Sequence, residues 1–402
     1  MIVLFWIFLF IIFYTFFGYG IFLFAIVKLK KAFKKPFKFS TDVDLPTVSL
    51  LIAAFNEEDI IEEKIKNCLN LAYPKEKLQI IFITDGSSDN TPNLVARYSE
   101  VTLLHENIRE GKMAAIKRAL PLIKNDITVF TDANTFLNTV AIKELVKHYQ
   151  NPKVGAVAGE KRIMVAQSAD ASAAGEGFYW KYESTLKKWD YELYSNVGAA
   201  GELFSIRTAL YPPVESDTIV DDHMIAMRIA EKGYIIAYEP NAYALETASA
   251  NTKEELKRKI RIAAGGIQSI FRLRKSANPF HNPILTFQYI SHRVLRWTIT
   301  PWLMIFVLLL NVAICISYPA LVLYQIILAL QFLFYLSAII GAVLESRSIK
   351  IKVLFIPFYF CMMNYATIAG TIRYFKGTQS AAWEKSKRAS PQPSPKERER
   401  LT

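Results

Sequence analysis

The feature that most constrains this chain lies at its start, where no charged residue occurs from Met1 to Val27. A helix rising about 1.5 Å per residue needs roughly 20 apolar residues to cross a hydrocarbon layer, and this stretch is longer. It lacks the basic start, short apolar core and small-residue cleavage site of a secretory leader, so a membrane helix over 1–27 is expected. Lys28, Lys30, Lys31, Lys34, Lys35 and Lys38 follow at once, and this basic segment, 28–40, marks the cytosolic side. A second uncharged run from Trp297 to Leu344 has room for two spans, 298–317 and 320–344, hinged near Ser317, Tyr318 and Pro319. A third, 353–372, is at the lower limit of a span, and Glu345, Arg347, Lys350 and Lys352 form a charged loop before it. Four crossings leave the C-terminus outside, whereas the basic tail over 373–402, with Lys385, Lys387, Arg388, Lys396, Arg398 and Arg400, favours the inside. Either the last segment is re-entrant or interfacial, or the tail is exported despite its charge. Beyond Ser390 the tail is short of apolar residues and rich in Pro and charge, which reads as disordered.

Between these anchors, residues 41–280 read as one cytosolic globular domain large enough for a sizeable core. Val48 to Phe55, Gln79 to Thr84, Val101 to His105 and Ile127 to Thr131 are strand-like apolar runs. They alternate with helical patterns at Asp59 to Leu71, Asn90 to Tyr98, Met113 to Leu120 and Val140 to Tyr149. This alternation predicts an α/β fold, a mostly parallel sheet with helices on both faces. Further on, helices are expected at Asp222 to Glu231 and Lys253 to Ile262, with a strand near Tyr234 to Tyr238. An amphipathic interfacial helix is expected over 281–297, its His292, Arg293 and Arg296 snorkelling toward lipid head groups.

The net charge of +12 fits membrane orientation and attraction to anionic lipid better than nucleic-acid binding, because many of the lysines and arginines flank spans. Cys68, Cys315 and Cys361 are too scattered for a zinc site or a disulfide framework. The spans hold almost no ionisable residue, which argues against an ion or proton transporter.

Parallel sheets bind ligands beyond the carboxyl ends of their strands, and polar residues collect there: Asn56, Glu57 and Glu58 after the first strand, Asp85 after the second, Asp132 after the fourth. Asp132-Ala-Asn134 offers two hard oxygen donors to a Mg²⁺ or Mn²⁺ bridging a diphosphate; the same tripeptide also makes an ordinary Asx turn. Asp85 can accept a hydrogen bond from a base or ribose, with Ser88 or Asp89 capping the next helix. Lys112, at a helix start, can meet phosphate or remain a surface lysine. Asp221 and Asp222 open a helix, where the dipole favours them, and can supply a general base for a hydroxyl. Lys257, Arg258, Lys259 and Arg261 form either a solvated face or a set of cations within reach of a departing diphosphate.

These parts, in this order, resemble the family 2 glycosyltransferases of GT-A fold, in particular the membrane-bound cellulose, chitin and hyaluronan synthase group. The resemblance runs through AAFNEE (53–58), TDGSSDNT (84–91), REGKMAAIKRAL (109–120), FTDANT (130–135), GAAGELFSIR (198–207) and IVDDHMIAMRIAEKGY (219–234), then the C-terminal spans. It implies a GT-A nucleotide-diphospho-sugar transferase domain and an inverting hexosyl- or N-acetylhexosaminyltransferase acting in cell-surface or exopolysaccharide synthesis. Glu57 and Asp85 would line the uridine pocket of a nucleotide-sugar donor, and Lys112 and Arg261 would touch its diphosphate. Asp132 and Asn134 would hold a divalent cation, Asp222 would be the base with Asp221 beside it, and Glu202 would lie by a glycan or lipid-linked acceptor. Polysaccharide export or assembly machinery is the implied partner class. In two places the chain departs from the family: Asn134 replaces the second acid of Asp-x-Asp, and Arg258 to Ile262 replaces Gln-x-x-Arg-Trp, keeping only the arginine. Three readings follow, a processive synthase, a transferase adding one sugar to a lipid carrier, and a donor-binding scaffold without turnover.

Overall fold

The computed structural model describes all residues except 34–36, 41–43, 165–170, 248–250, 348, 350 and 381–402. The expected basic tail from Lys385 onward, and Lys34, Lys35 and Lys350, therefore lie outside the described residues.

The described strands form one eight-stranded sheet in the order β3-β2-β1-β4-β7-β6-β8-β5. They are β1 (Val48–Ala54), β2 (Leu78–Asp85), β3 (Thr102–Glu106), β4 (Ile127–Asp132), β5 (Thr135–Leu137), β6 (Val154–Met164), β7 (Phe204–Arg207) and β8 (Ile235–Thr247). β3, β2, β1 and β4 run parallel; β7 is antiparallel to both β4 and β6, β6 is parallel to β8, and β5 closes the edge antiparallel to β8. The result is a mixed sheet. Alternate residues of the central strands bury on opposite faces, as a strand's two-residue period requires. Leu50 and Ile52 pack with Ile61, Ile65 and Cys68 on one face, while Leu51, Ile81 and Ile83 pack with Met113, Ile116 and Met224 on the other. Covering both faces explains why these strands read as unbroken apolar runs.

Register sets the position of the site. Ala53 pairs with Asp132, and Ala54 pairs with Thr84, the residue before Asp85. The carboxyl ends of β1, β2 and β4 therefore share one edge.

Two long elements escape sequence reading, β6 and the helix Ala171–Leu193. That helix buries Glu183, Lys187 and Asp190 beside Leu186, so no apolar stripe announces it. The helix expected over 253–262 runs from Thr252 to Arg272, straight through Gly265 and Gly266. Glycine disfavours a helix interior, but contact overrides propensity at this pair. A Cβ at Gly265 would fall 2.8 Å from Ile219 Cγ2, and one at Gly266 would fall 2.7 Å from Trp297.

Among the described residues four helices are long and apolar enough to cross a membrane: Ile2–Phe33, Ile299–Ser317, Val322–Ser346 and Val353–Phe375. The first pairs with the second through Thr15 and Thr300 (3.0 Å), and with the third through Trp6 Nε1 and the Tyr324 hydroxyl (2.9 Å). It continues as a helix past Lys28, and Lys30 Nζ donates to the carbonyls of Glu192 (2.8 Å) and Leu193 (2.6 Å), capping the Ala171–Leu193 helix. The fourth runs beside Thr252–Arg272, from Leu256 against Phe355 and Tyr359 to Phe271 stacked on Tyr374.

The segment 283–297 is helical with a π turn at Ile290–Val294, but its cations do not point outward as expected. His292 is fully buried, with Nδ1 2.5 Å from Asp190 and Nε2 3.2 Å from Glu183; Arg293 and Arg296 reach Glu183 at 2.7 and 2.8 Å. The Tyr19 hydroxyl of the first helix donates to Asp190 as well. Two carboxylates on one helix thus gather cations that would otherwise seek head groups, and the Glu183 carboxyl is held well below its usual range despite burial.

Candidate active site

At the shared sheet edge, the loops after β1 and β2 are tied together. Asn56 adopts φ 53° and its Oδ1 accepts from Ser88 N (2.8 Å), while Glu57 N donates to Thr91 Oγ1 (2.9 Å). Asp89 caps the following helix through Thr91 N (3.0 Å). Glu57 is buried at this junction. Asp85 closes the next loop: Oδ2 accepts from the amides of Glu110 (3.0 Å) and Gly111 (2.6 Å), and Oδ1 takes Arg118 at 2.7 Å. Both of its oxygens thus have partners within the protein, alongside the role of acceptor for a base or ribose expected from sequence. Asp85, Arg109, Gly111 and Lys112 line one small cleft with Phe55, over whose ring the Arg109 guanidinium sits at 3.7 Å.

Lys112 leads from that cleft to the acids. It opens the helix Lys112–Ala119 after Gly111, whose φ of 97° suits glycine, and its Nζ lies 2.9 Å from Asp132 and 3.5 Å from Asp221. Gly201 marks the centre. A Cβ there would stand 3.4 Å from Lys112 Nζ, 3.5 Å from Asp132 Oδ2 and 3.6 Å from Asp222 Oδ2. Three side chains from three regions of the chain therefore converge on one point.

Burial pushes the Asp222 carboxyl up to about 7, and Asp221 adds to the rise. Burial also raises Asp132 against the pull of Lys112. Burial works against the charge of Lys112, yet Asp132, Asp221 and Asp222 more than offset it and hold its pKa above the usual lysine value. Next to Asp222, His223 is pushed down to about 3 by burial and then by Arg293, so its imidazole is neutral; it packs against Trp297 at 5.3 Å.

Behind this group lies an ion network. Lys161 pairs with Glu202 (2.6 Å) and with Glu246, and Arg258 pairs with Glu246 (3.0 Å) and Glu255 (3.4 Å). Arg258, which sequence left as either part of a solvated face or a cation within reach of a diphosphate, is thus paired with Glu246 and Glu255, and Glu202 is anchored to Lys161. Glu246 also accepts from Asn134 Nδ2 at 3.1 Å. This fixes the amide so that the buried Asn134 Oδ1 has no hydrogen-bond partner. Arg261 Nη2 donates to Ile219 O at 3.4 Å, beside the turn that carries the aspartates.

Sequence reading missed Lys64, which is fully buried on the helix Ile61–Leu69. Its Nζ donates to Thr135 O (2.6 Å) and Thr131 Oγ1 (3.2 Å), holding the Asp132 to Asn134 turn from beneath. Its position one turn after Ile61, on the buried face, was the available signal. Replacing Lys64 with Met removes the 2.6 Å donor to the buried Thr135 carbonyl, so stability falls by about 1–3 kcal/mol. Thermal unfolding of the detergent-solubilised protein checks this, and an unchanged midpoint would refute the role.

Among the described residues no group of three or more His, Cys, Asp or Glu is arranged to hold a metal alone. Even so, Asp132 and the orphaned Asn134 carbonyl fit a divalent cation that takes its remaining ligands from diphosphate and water, as Mg²⁺ commonly does. Carboxylates outnumber cations around Gly201, which favours the same charge.

A mixed α/β sheet with this edge and this acid cluster is the GT-A architecture of nucleotide-diphospho-sugar transferases. Residues 49–207 match the family described as glycosyl transferase family 2. It is 31% identical over 215 residues to the beta-monoglucosyldiacylglycerol synthase of Nostoc sp., covering 49% of this chain and 44% of that protein. It is 29% identical over 241 residues to the poly-beta-1,6-N-acetyl-D-glucosamine synthase of Staphylococcus aureus, covering 57% of each. The chain spans about half the length of the curated relatives it matches. In structure it is similar to a mannosyltransferase of Pyrobaculum calidifontis solved with GDP-Man and Mn2+, with TM-score 0.69, 24% identity, and 92% and 99% of the two chains covered. That likeness extends the shared fold beyond the family domain.

Proposed function

We propose that this chain is a membrane-bound, inverting hexosyl- or N-acetylhexosaminyltransferase that moves a sugar from a nucleotide diphosphate to a hydroxyl on a glycan or lipid-linked acceptor. The observation that carries it is the meeting of Lys112, Asp132 and Asp222 around Gly201. Asp222, with a pKa near working pH, takes the proton from the acceptor hydroxyl. The acceptor oxygen then bonds to the anomeric carbon from the face opposite the leaving group, the bond from that carbon to the diphosphate breaks, and nucleoside diphosphate departs. Lys112 meets the charge that develops on it, with Arg261 near the same turn. A divalent cation held by Asp132 and Asn134 would neutralise part of the same charge. Asp85 lines the cleft assigned to the nucleoside, Glu57 is buried in the loop junction next to it, and Glu202 is assigned to the acceptor. The GDP-Man and Mn2+ of the structural relative support a sugar-nucleotide donor and a divalent cation.

The charge pattern supports a cytosolic catalytic domain in the cell membrane. The helix Val353–Phe375 lies along Thr252–Arg272, which carries Lys257, Arg258, Lys259 and Arg261 and cannot enter hydrocarbon. This favours an interfacial last helix, three crossings and a basic tail on the cytosolic side.

Membranes bearing the full chain, given UDP-glucose, UDP-N-acetylglucosamine or GDP-mannose with Mn²⁺ or Mg²⁺, are expected to release nucleoside diphosphate and label a product. Long glycans support a processive enzyme, and single-sugar lipids support one-step transfer. Donor binding without any turnover overturns the catalytic reading in favour of a scaffold.

A further inference from the structure

Position 134 is where the chain departs from Asp-x-Asp, and its surroundings give the amide a physical reason. β5 runs antiparallel to β8 with Thr135 opposite Glu246, so backbone register sets the preceding residue, Asn134, beside the Glu246 carboxylate. Both residues are buried. The hydrogen-bond partners of that carboxylate are all donors: Lys161 Nζ, Arg258 Nη1 at 3.0 and 3.2 Å, and Asn134 Nδ2 at 3.1 Å. An ionised carboxylate only accepts, so a flipped amide would set oxygen against oxygen and forfeit the bond. Asn134 therefore holds one orientation, with Nδ2 on Glu246 and the buried Oδ1 left without a partner among the described residues.

An aspartate at 134 has no N–H to give. Its carboxylate would stand where the amide now meets Glu246, two like charges in contact away from water. Glutamine at 246 alone is unsuited for a different reason. Offering both an oxygen and an NH₂, it would pair with the Asn134 amide in either orientation, and Lys161 and Arg258 would lose a counter-charge. Exchanging both together, aspartate at 134 with glutamine at 246, restores donor to acceptor and keeps the total charge of the pair.

We propose that Glu246 is a positioning residue for the cation site: it carries the negative charge that position 134 lacks and orients the Asn134 carbonyl as a ligand. This rests on the transferase reading above and adds to it a residue of the outer shell, where hydrogen bonds fix how a ligand faces its ion.

The test is a double-mutant cycle on the full chain in detergent. Two quantities are read, the unfolding midpoint in EDTA and the factor by which Mn²⁺ tightens the binding of UDP or GDP. Asn134→Asp and Glu246→Gln should each lower the midpoint by several degrees and cut the Mn²⁺ factor by about 10-fold or more. The double variant should have a midpoint above both singles and recover the Mn²⁺ factor to within about threefold of wild type. A midpoint that falls in Glu246→Gln while the Mn²⁺ factor stays unchanged makes Glu246 a structural residue only and overturns the proposal. A double variant no better than the worse single overturns it too, as does Asn134→Asp with an unchanged midpoint and a Mn²⁺ factor equal to or above wild type. In those three cases nucleotide binding by the wild type leaves the transferase reading standing. Binding of neither UDP nor GDP by the wild type, with or without Mn²⁺, rejects that reading and this proposal with it.

Discussion

Replacing Asp222 with asparagine lowers kcat for sugar transfer by roughly 10²–10⁴-fold while donor binding persists, because the side chain supplies a proton acceptor rather than a donor contact. The substitution keeps the local fold: Asp222 Oδ1 accepts from His223 N at 2.8 Å, and an amide oxygen can do the same. Two pH effects accompany it. In the wild type, kcat/KM rises with pH as the carboxyl ionises and levels above about 7, so the acid limb reports this group. The stability effect has the opposite sign. A carboxyl whose folded pKa lies above its unfolded value stabilises the fold below the unfolded pKa, and that contribution is lost as pH rises through about 7. Asp222→Asn is therefore more stable than wild type at pH 8 without added metal, and the difference shrinks toward pH 5. Full turnover in the variant, or a gap in stability that widens on acidification, would remove Asp222 from the role of base.

The second large effect is structural. Glu183→Ala strips the shared partner from His292, Arg293 and Arg296, all mostly buried. Removing one side of a buried ion cluster costs about 3–5 kcal/mol, since the remaining charges keep their desolvation penalty. The unfolding midpoint in detergent should drop by several degrees or more. Because Asp190 still binds Tyr19 and His292, the first helix should remain docked, and crosslinking between positions 19 and 190 checks that. A midpoint within error of wild type would show that these charges find water instead of each other.

The residues whose places at strand ends and helix starts could be located from sequence are those whose position follows from one local rule. Strand ends in a parallel sheet face the ligand edge, so Asp85 and Asp132 could be placed from the apolar runs before them. Lys112 and Asp222 could be placed at helix starts for the same reason. What escaped is pairing over distance. Nothing local tells that Arg258 meets Glu246, that Lys161 bridges Glu202 and Glu246, or that His292 turns toward Asp190, 102 positions earlier. Cations near a membrane look alike in sequence whether they seek head groups or a buried carboxylate. Lys64 shows the converse, a charge on an apolar helix face whose partners are a hydroxyl at the end of β4 and a carbonyl at the start of β5. The helix Ala171–Leu193 was illegible because Glu183 and Asp190 bury there beside Leu186, and β6 because its short apolar start at Val154 to Ala158 runs on into the buried Glu160 and Lys161.

Gly265 and Gly266 press one helix simultaneously against the turn bearing the aspartates and against an indole at the membrane-proximal side. With no side chain to yield at either contact, the reacting centre cannot ride up or down relative to its anchor. On the proposed transferase reading, an acceptor hydroxyl would have to come to one fixed height above the bilayer, and molecules whose hydroxyl lies deeper or farther out would be turned away by distance alone.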